Sequence, residues 1–187
     1  MGIVDLLLMD LNTAEITKEK NMDIIKLLLK ELAAEFNTTK KFLAIVPTEK
    51  FDWAPHEKSM KMKSLAVHIA DLPSWVSLAL TTDGLDFETA PYVEQEAENA
   101  DDLVKILEKN YETGRKALED ATEDQLNGRW VLRMGKQVLA DYSKYETIRH
   151  SLSQTSHHRA QLGVYLRLLE IPIPGSYGPS ADDHNFN

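Results

Sequence analysis

The chain has 187 residues, 43% of them hydrophobic and 27% charged, which predicts one soluble globular domain. Its formal net charge is −9, and such a surface repels phosphate backbones, so we expect no nucleic-acid partner. It contains no cysteine, which excludes disulfides, thiolate metal ligands and a cysteine nucleophile.

Residues 1–20 form a weakly patterned lead-in, which we interpret as either a short helix packed on the body or an extension. The apolar stretch GIVDLLLMDL carries two aspartates and no basic leader, so it lacks the pattern of a signal peptide. No apolar run is long enough to span a bilayer. We therefore expect a cytoplasmic protein without a membrane partner.

The first helix is predicted from residue 23 to about residue 46, where apolar residues recur at intervals of three and four. Pro47 ends it, because proline disfavours helical backbone in the residue before it. The connector of residues 47–60 holds Phe51, Trp53 and His56. We expect its aromatic residues to fold back on the core or to line a cleft.

The second helix is predicted over residues 61–80, with His68 and Trp75 on the flank of its apolar stripe. Pro73 removes a backbone donor and predicts a kink just beyond His68. Gly84 is predicted to cap the C-terminal end of this helix. The pattern therefore places one histidine at the edge of a buried face.

An acidic loop is predicted over residues 84–98 and a third helix over residues 101–119, with Asn99 or Asp101 as its N-cap. Residues 122–143 allow two interpretations. The stretch RWVLRMGKQVLA alternates around Met134 and Gly135 and predicts either a short hairpin or an irregular crossover.

The last helix, predicted over residues 145–170, carries polar groups along its buried face. Arg159 lies near the middle of the apolar stripe and His158 on its flank, with Gln154 and His150 one and two turns earlier. His157 points away from the core. Because burying unpaired polar groups is costly, this ladder indicates a site.

Four helices joined by two sizeable connectors predict an all-α four-helix bundle with long crossover connections, as a single domain over residues 1–187. The tail of residues 171–187 is rich in proline and glycine and is expected to be irregular. Such bundles build metal and cofactor sites from the side chains of facing helices.

His68 and His158 converge if the second and last helices are neighbours. Either histidine alone is more often a satisfied core residue, but the pair on two buried flanks favours a site. A catalytic divalent metal typically has three protein ligands and one open position. The third position, one turn before His158, holds Gln154, whose amide oxygen is a weaker ligand than imidazole.

Two segments together resemble the DinB family (DinB/YfiT-like) of bacterial four-helix-bundle proteins: WAPHEKSMKMKSLAVHIADLPSWV and HHRAQLGVYLRLLEIPIPGSYGPSADD. The resemblance extends from about residue 27 to residue 183 and implies a divalent metal on three histidines. His68 and His158 match the first and last of these positions. Gln154 occupies the middle one, where this chain departs from the pattern.

The resemblance implies a homodimeric metal-dependent enzyme, a thiol S-transferase or a hydrolase, acting on a small molecule. Its cofactors would be Zn, Ni, Fe or Mn and a low-molecular-weight thiol. A stress-response role is associated with the family name, which refers to damage-inducible expression. The alternative is a metal-free binding or scaffold protein that keeps the fold and has lost one ligand at Gln154.

Several residues are candidates for completing the site. Gln154 can act through its oxygen or through a water, and His150 or His56 can supply a further ligand. His150 and His157 are candidates for moving protons. Asp71, one turn after His68, is a candidate for orienting a ligand histidine.

Arg159 has two interpretations: a buried ion pair with Asp71 or Glu57, or an anchor for an anionic substrate. The ion pair is favoured, because an unpaired inward charge is costly. Trp75 and Tyr165 are expected in the core or in the pocket wall.

Overall fold

The structure is a computed structural model that describes residues 22–185. The predicted lead-in of residues 1–20 lies outside the described residues. Within the described range, six α-helices pack with one three-stranded sheet. The predicted all-α class is therefore corrected to a mainly helical fold with a small sheet. None of the described helices is both long and apolar enough to cross a bilayer.

Helix α1 spans Ile24–Leu43 and begins as predicted. Its N-cap is Asp23, whose carboxylate accepts a hydrogen bond from the backbone N–H of Lys26 at 2.9 Å. Leu28 and Leu32, one turn apart, lie in the core and fix the buried face of α1.

The predicted second helix is two helices, α2 (Met62–Asp71) and α3 (Ser74–Thr81). Pro73 separates them because it has no backbone N–H to continue the hydrogen-bond ladder. The predicted kink is therefore a complete break, and it comes directly after the turn that carries His68.

The sheet contains β1 (Gly84–Asp86), β2 (Arg129–Met134) and β3 (Gln137–Ser143) in that order. Strands β2 and β3 pair antiparallel, so the hairpin interpretation is correct. Strand β1 pairs parallel with β2, in the stretch predicted as a loop.

Gly84 begins β1 and does not cap α3, so that prediction is wrong. Thr82 follows the last turn of α3 instead, and its hydroxyl bonds to the carbonyl of Leu78. A Cβ atom at Gly84 would lie 2.4 Å from the carbonyl oxygen of Val131 on β2. Glycine is needed there because the two strands approach closely.

The remaining helices are α4 (Ala100–Glu119), α5 (Glu123–Leu126) and α6 (Lys144–Leu168). Asn99 caps α4, as one of the two predicted alternatives. Ser143 and Glu146 form a capping box at the start of α6, directly after the hairpin. The last strand therefore leads without a loop into the helix that carries His158.

Side chains from α4 and α6 pair with backbone carbonyls at the α2–α3 break. The amide nitrogen of Asn110 donates to the carbonyl of Ala70 at 3.1 Å. The hydroxyl of Ser151 donates to the carbonyl of Leu72 at 2.7 Å. Both donors are buried, so the break is bonded to both neighbouring long helices.

After α6, residues 171–185 form no helix or strand within the described range. One hydrogen bond lies within the segment, where the hydroxyl of Ser180 donates to the carbonyl of Ile173 at 2.6 Å. One ion pair, between Asp182 and Arg167, joins the segment to α6. The tail therefore lies against the C-terminal half of α6.

Gly114 lies where α4 crosses the α2–α3 break. A Cβ atom there would lie 2.7 Å from the carbonyl oxygen of Pro73 and 3.2 Å from the Cβ of Val76. Gly114→Ala gains about 1 kcal/mol of helix propensity. The contact with the carbonyl of Pro73 can be relieved only by moving backbone, and such overpacking costs about 1–3 kcal/mol. We expect net destabilisation, measured as a lower urea midpoint of unfolding.

Gly163→Ala is the matched control within α6. Its added Cβ would meet only the ring edge of Phe42, at 3.3 Å, and a side chain yields more easily than a backbone carbonyl. This variant should change the urea midpoint much less. Higher stability of Gly114→Ala than of the wild type would contradict this prediction. It would mean that α4 and the α2–α3 break can move apart to admit the added methyl group.

Candidate functional site

His68 of α2 and His158 of α6 meet at the flank of the buried face. Their ring centroids are 4.6 Å apart and the ring planes are inclined by 81°. Both rings are half-buried. The two imidazoles therefore come together from two different helices, in an edge-to-face arrangement.

Gln161 fixes the orientation of the His158 ring. Its amide oxygen lies 2.8 Å from Nδ1 of His158, and its amide nitrogen lies 3.2 Å from Nε2 of His157. The amide nitrogen donates a hydrogen bond to His157. The amide oxygen accepts a hydrogen bond from the N–H at Nδ1 of His158. The Nε2 atom of His158 then carries a lone pair.

The surroundings of both rings favour the neutral imidazole. Burial lowers the pKa of His68, the charge of His158 lowers it further, and Asp71 opposes both effects. Burial also lowers the pKa of His158, while the hydrogen bond that its Nδ1 donates to Gln161 raises it. Neutral imidazole is the form that binds a metal ion.

Gln154 lies one turn before His158 on α6 and lines the same pocket as His68. Its amide nitrogen lies 3.4 Å from Nε2 of His150. No hydrogen bond to its amide oxygen occurs within residues 22–185, so that oxygen is available to a cation or a ligand. His150 is exposed, and its ring lies against that of Tyr142, with centroids 5.8 Å apart.

A pocket of about 300 Å³ opens beside His68, between the α2–α3 break, the hairpin and the first half of α6. Trp75, Trp130 and Tyr142 form its aromatic walls. The indole N–H of Trp130 donates to the hydroxyl of Thr82 at 3.1 Å, which holds that ring in place.

Sequence reasoning missed the hairpin wall of this pocket. Trp130 and Leu132 of β2 face the pocket with Ala140 and Tyr142 of β3, and they pair directly across the two strands. Their alternation along each strand was a readable signal, since alternate residues of a strand share one face. Gln161 was also missed, and a glutamine near a candidate ligand carries no comparable signal.

Asp71 does not line the pocket among the described residues. Its carboxylate accepts hydrogen bonds from Gln95 at 2.7 Å and from Asn110 of α4 at 3.3 Å. It therefore acts on His68 only through its charge, which raises the pKa of His68. Its hydrogen bonds join Gln95 and Asn110 of α4 to the end of α2.

Arg159 forms a buried ion pair, but with neither of the two predicted partners, Asp71 and Glu57. Its Nη1 atom lies 2.5 Å from the carboxylate of Glu35 on α1 and 3.0 Å from the hydroxyl of Thr39. Arg159 and Glu35 are only 2% and 6% exposed. The hydroxyl of Tyr177 in the tail donates to the same carboxylate at 2.7 Å.

Tyr165 and His56 lie outside the pocket lining. The hydroxyl of Tyr165 donates to the carbonyl of Met60 at 3.2 Å, and its ring packs edge-on against Trp53 in the core. His56 is exposed and accepts a hydrogen bond from the backbone N–H of Lys58. Among the predicted residues, the structure groups His68, Gln154, His150 and Trp75 at the pocket and His158 beside it.

The donor set suits two-histidine coordination of a borderline divalent cation, with an amide oxygen as a weaker third ligand. Within the described part of the chain, no group of three His, Cys, Asp or Glu side chains is placed to hold a metal. The residues therefore offer two imidazoles and one amide oxygen, a donor set that differs from a three-histidine site.

A family model with the description "DinB family" matches residues 17–185. The chain is similar in structure to a DinB-like protein from Bacillus subtilis, with a TM-score of 0.62, 16% identity, and coverage of 84% of this chain and 99% of that one. A DinB-like protein from Bacillus cereus gives 0.61 and 17%, with 80% and 95% covered. A search of curated protein sequences returns no match.

Proposed function

The chain belongs to the DinB family, and from this premise we propose that it binds a divalent metal through His68 and His158 and acts on a small molecule as a thiol S-transferase or hydrolase. The observation that carries the proposal is the approach of the two rings to 4.6 Å at the edge of a pocket. Coordination by two neutral imidazoles suits Zn, Ni, Fe or Mn.

A bound cation would act as a Lewis acid and lower the pKa of a thiol or water nucleophile beside it. The protein residues would then divide the remaining tasks. Gln161 holds Nδ1 of His158, so that Nε2 is presented as the donor atom. Gln154 offers its amide oxygen one turn earlier on the same helix.

His150 is placed to move a proton in this scheme. It lines the pocket, its Nε2 contacts the amide of Gln154, and it is exposed to solvent. A histidine that reaches both a pocket and bulk water can exchange protons between them.

Zinc titration of chelator-stripped protein tests the metal site. We expect the wild type to bind about one equivalent per chain. His158→Ala should weaken the affinity by at least about a hundredfold, since it removes one of two strong ligands and even the loss of an outer hydrogen-bond partner costs about tenfold to a hundredfold. His56→Ala is the control, because that imidazole is exposed and lies outside the site. Unchanged zinc affinity in His158→Ala would contradict the proposed ligand set.

A metal-free binding protein is the second candidate, favoured by Gln154 at the third ligand position and by its contact with His150. On this alternative the pocket binds a ligand through the two imidazoles and the amide alone. Wild-type protein that takes up none of the four metals, under any loading condition, would support it over the enzyme.

A further inference from the structure

The pocket beside His68 is built without ionic groups. Of the residues that the structure describes, those lining it include no lysine, arginine, aspartate or glutamate. Two of the three lining hydroxyls are already used as donors, from Ser151 to the carbonyl of Leu72 and from Thr147 to the carbonyl of Ser143. Among the described lining residues, His68, His150, Gln154, the Tyr142 hydroxyl and the Trp75 indole N–H remain to pair with a ligand, and none of these is a fixed charge.

The walls of the pocket are flat and apolar. The indole rings of Trp75 and Trp130 lie 5.9 Å apart at 57°, and Tyr142 continues this surface. Planar ligands stack on such rings with more contact than branched ones. A volume of about 300 Å³ is at the small end of ligand pockets.

A bulge in β3 places an apolar side chain at the mouth of the pocket. Leu132 pairs with Ala140 and Arg133 pairs with Val138, which leaves Leu139 without a partner. A bulge redirects side chains, and here Leu139 and Ala140 both line the pocket although they are neighbours in sequence. Leu139 is also 46% exposed, so this apolar side chain lies where the pocket opens to solvent.

We propose that this pocket holds an uncharged, flat, mainly apolar group of the substrate, with Leu139 at its mouth selecting against charge. The assignment rests on the proposed function in taking the pocket to be the substrate side of the His68–His158 pair. A charged group seated against the aromatic walls, away from the proposed cation, would be buried without a partner, which is costly. The one polar atom of the ligand would face His68 and Gln154.

Two probes that share a naphthalene skeleton test this: neutral 2-acetylnaphthalene and anionic 2-naphthoate. Each is titrated into the full chain after metal removal, and the three tryptophan indole N–H signals are followed by NMR. The neutral probe should shift the signals of Trp75 and Trp130 and leave that of Trp53, which packs on Tyr165. It should bind at least about tenfold more tightly than the anion.

Leu139→Asp and Val138→Asp form a matched pair. Both add one carboxylate to an exposed position of β3, and Val138 lies outside the pocket lining. Leu139→Asp should weaken binding of 2-acetylnaphthalene by at least about tenfold, while Val138→Asp should leave it unchanged. Equal binding of the two probes, equal effects of the two variants, or no shift of Trp75 and Trp130 would overturn the assignment.

The zinc titration is independent of these measurements. Probe binding by a protein that takes up no metal would refute the metal-dependent function and leave the pocket assignment standing. Metal binding without probe binding would refute only the pocket assignment.

Discussion

Replacing Glu35 by alanine is expected to destabilise the protein by about 3–5 kcal/mol. The reason is the position of Arg159, which is 2% exposed and bonded to the Glu35 carboxylate at 2.5 Å. The variant leaves a guanidinium in the core, and its remaining described partners are the Thr39 and Ser176 hydroxyls, one backbone carbonyl and the ring of Tyr177. Urea unfolding followed by circular dichroism measures the loss.

The control is Glu108→Ala, which removes a surface ion pair. Lys40 and Glu108 lie 2.7 Å apart, and both side chains are nearly half exposed. Such pairs contribute only about 0–1 kcal/mol. Equal, small losses of stability in Glu35→Ala and Glu108→Ala would contradict this prediction. The guanidinium of Arg159 would then be hydrated in Glu35→Ala, and its ion pair with Glu35 would contribute little to stability.

Gln154→His is expected to raise zinc affinity by at least about tenfold, since an imidazole is a stronger ligand than an amide oxygen and a direct ligand contributes more than the outer hydrogen-bond partners that account for about tenfold to a hundredfold. The new ring would lie one turn before His158 on α6 and would complete a three-imidazole set with His68. A competition titration against a chromophoric zinc chelator gives the change in affinity.

Ser153→His is the matched control for this gain. It adds the same side chain to the same helix, one residue away and on an exposed position. Its zinc affinity should stay near that of the wild type. An unchanged affinity in Gln154→His would mean that position 154 does not point at the proposed ion, and the family-like ligand geometry would be wrong for this chain.

The sequence predicted the helices well because each carries a local signal. Apolar residues at helical spacing predicted α1, α4 and α6, and Pro73 predicted the interruption after His68. Asn99 was one of the two residues predicted as the N-cap of α4. The approach of His68 to His158 was predicted only on the condition that the second and last helices are neighbours, and the structure meets that condition.

The missing parts depend on contacts between distant segments. Strand β1 has three residues in an acidic stretch, too short for alternation to show, and it exists because β2 lies beside it. Glu35 could not be chosen over Asp71 or Glu57 as the partner of Arg159, because all three carboxylates suit an arginine equally well in chemistry. Only the packing of α1 against α6 selects among them.

The backbone at the α2–α3 break has a consequence for the histidine pair. The carbonyl of Leu72 accepts the backbone N–H of Trp75 and also the hydroxyl of Ser151 on α6, which lies two turns before His158. Together with the bond from Tyr165 to the carbonyl of Met60 beside the start of α2, this contact helps to fix the position of α6 along α2. A slip by one helical turn, about 5.4 Å, would carry the imidazole of His158 past that of His68. The backbone at the end of one helix thus helps to align His158 on another with His68.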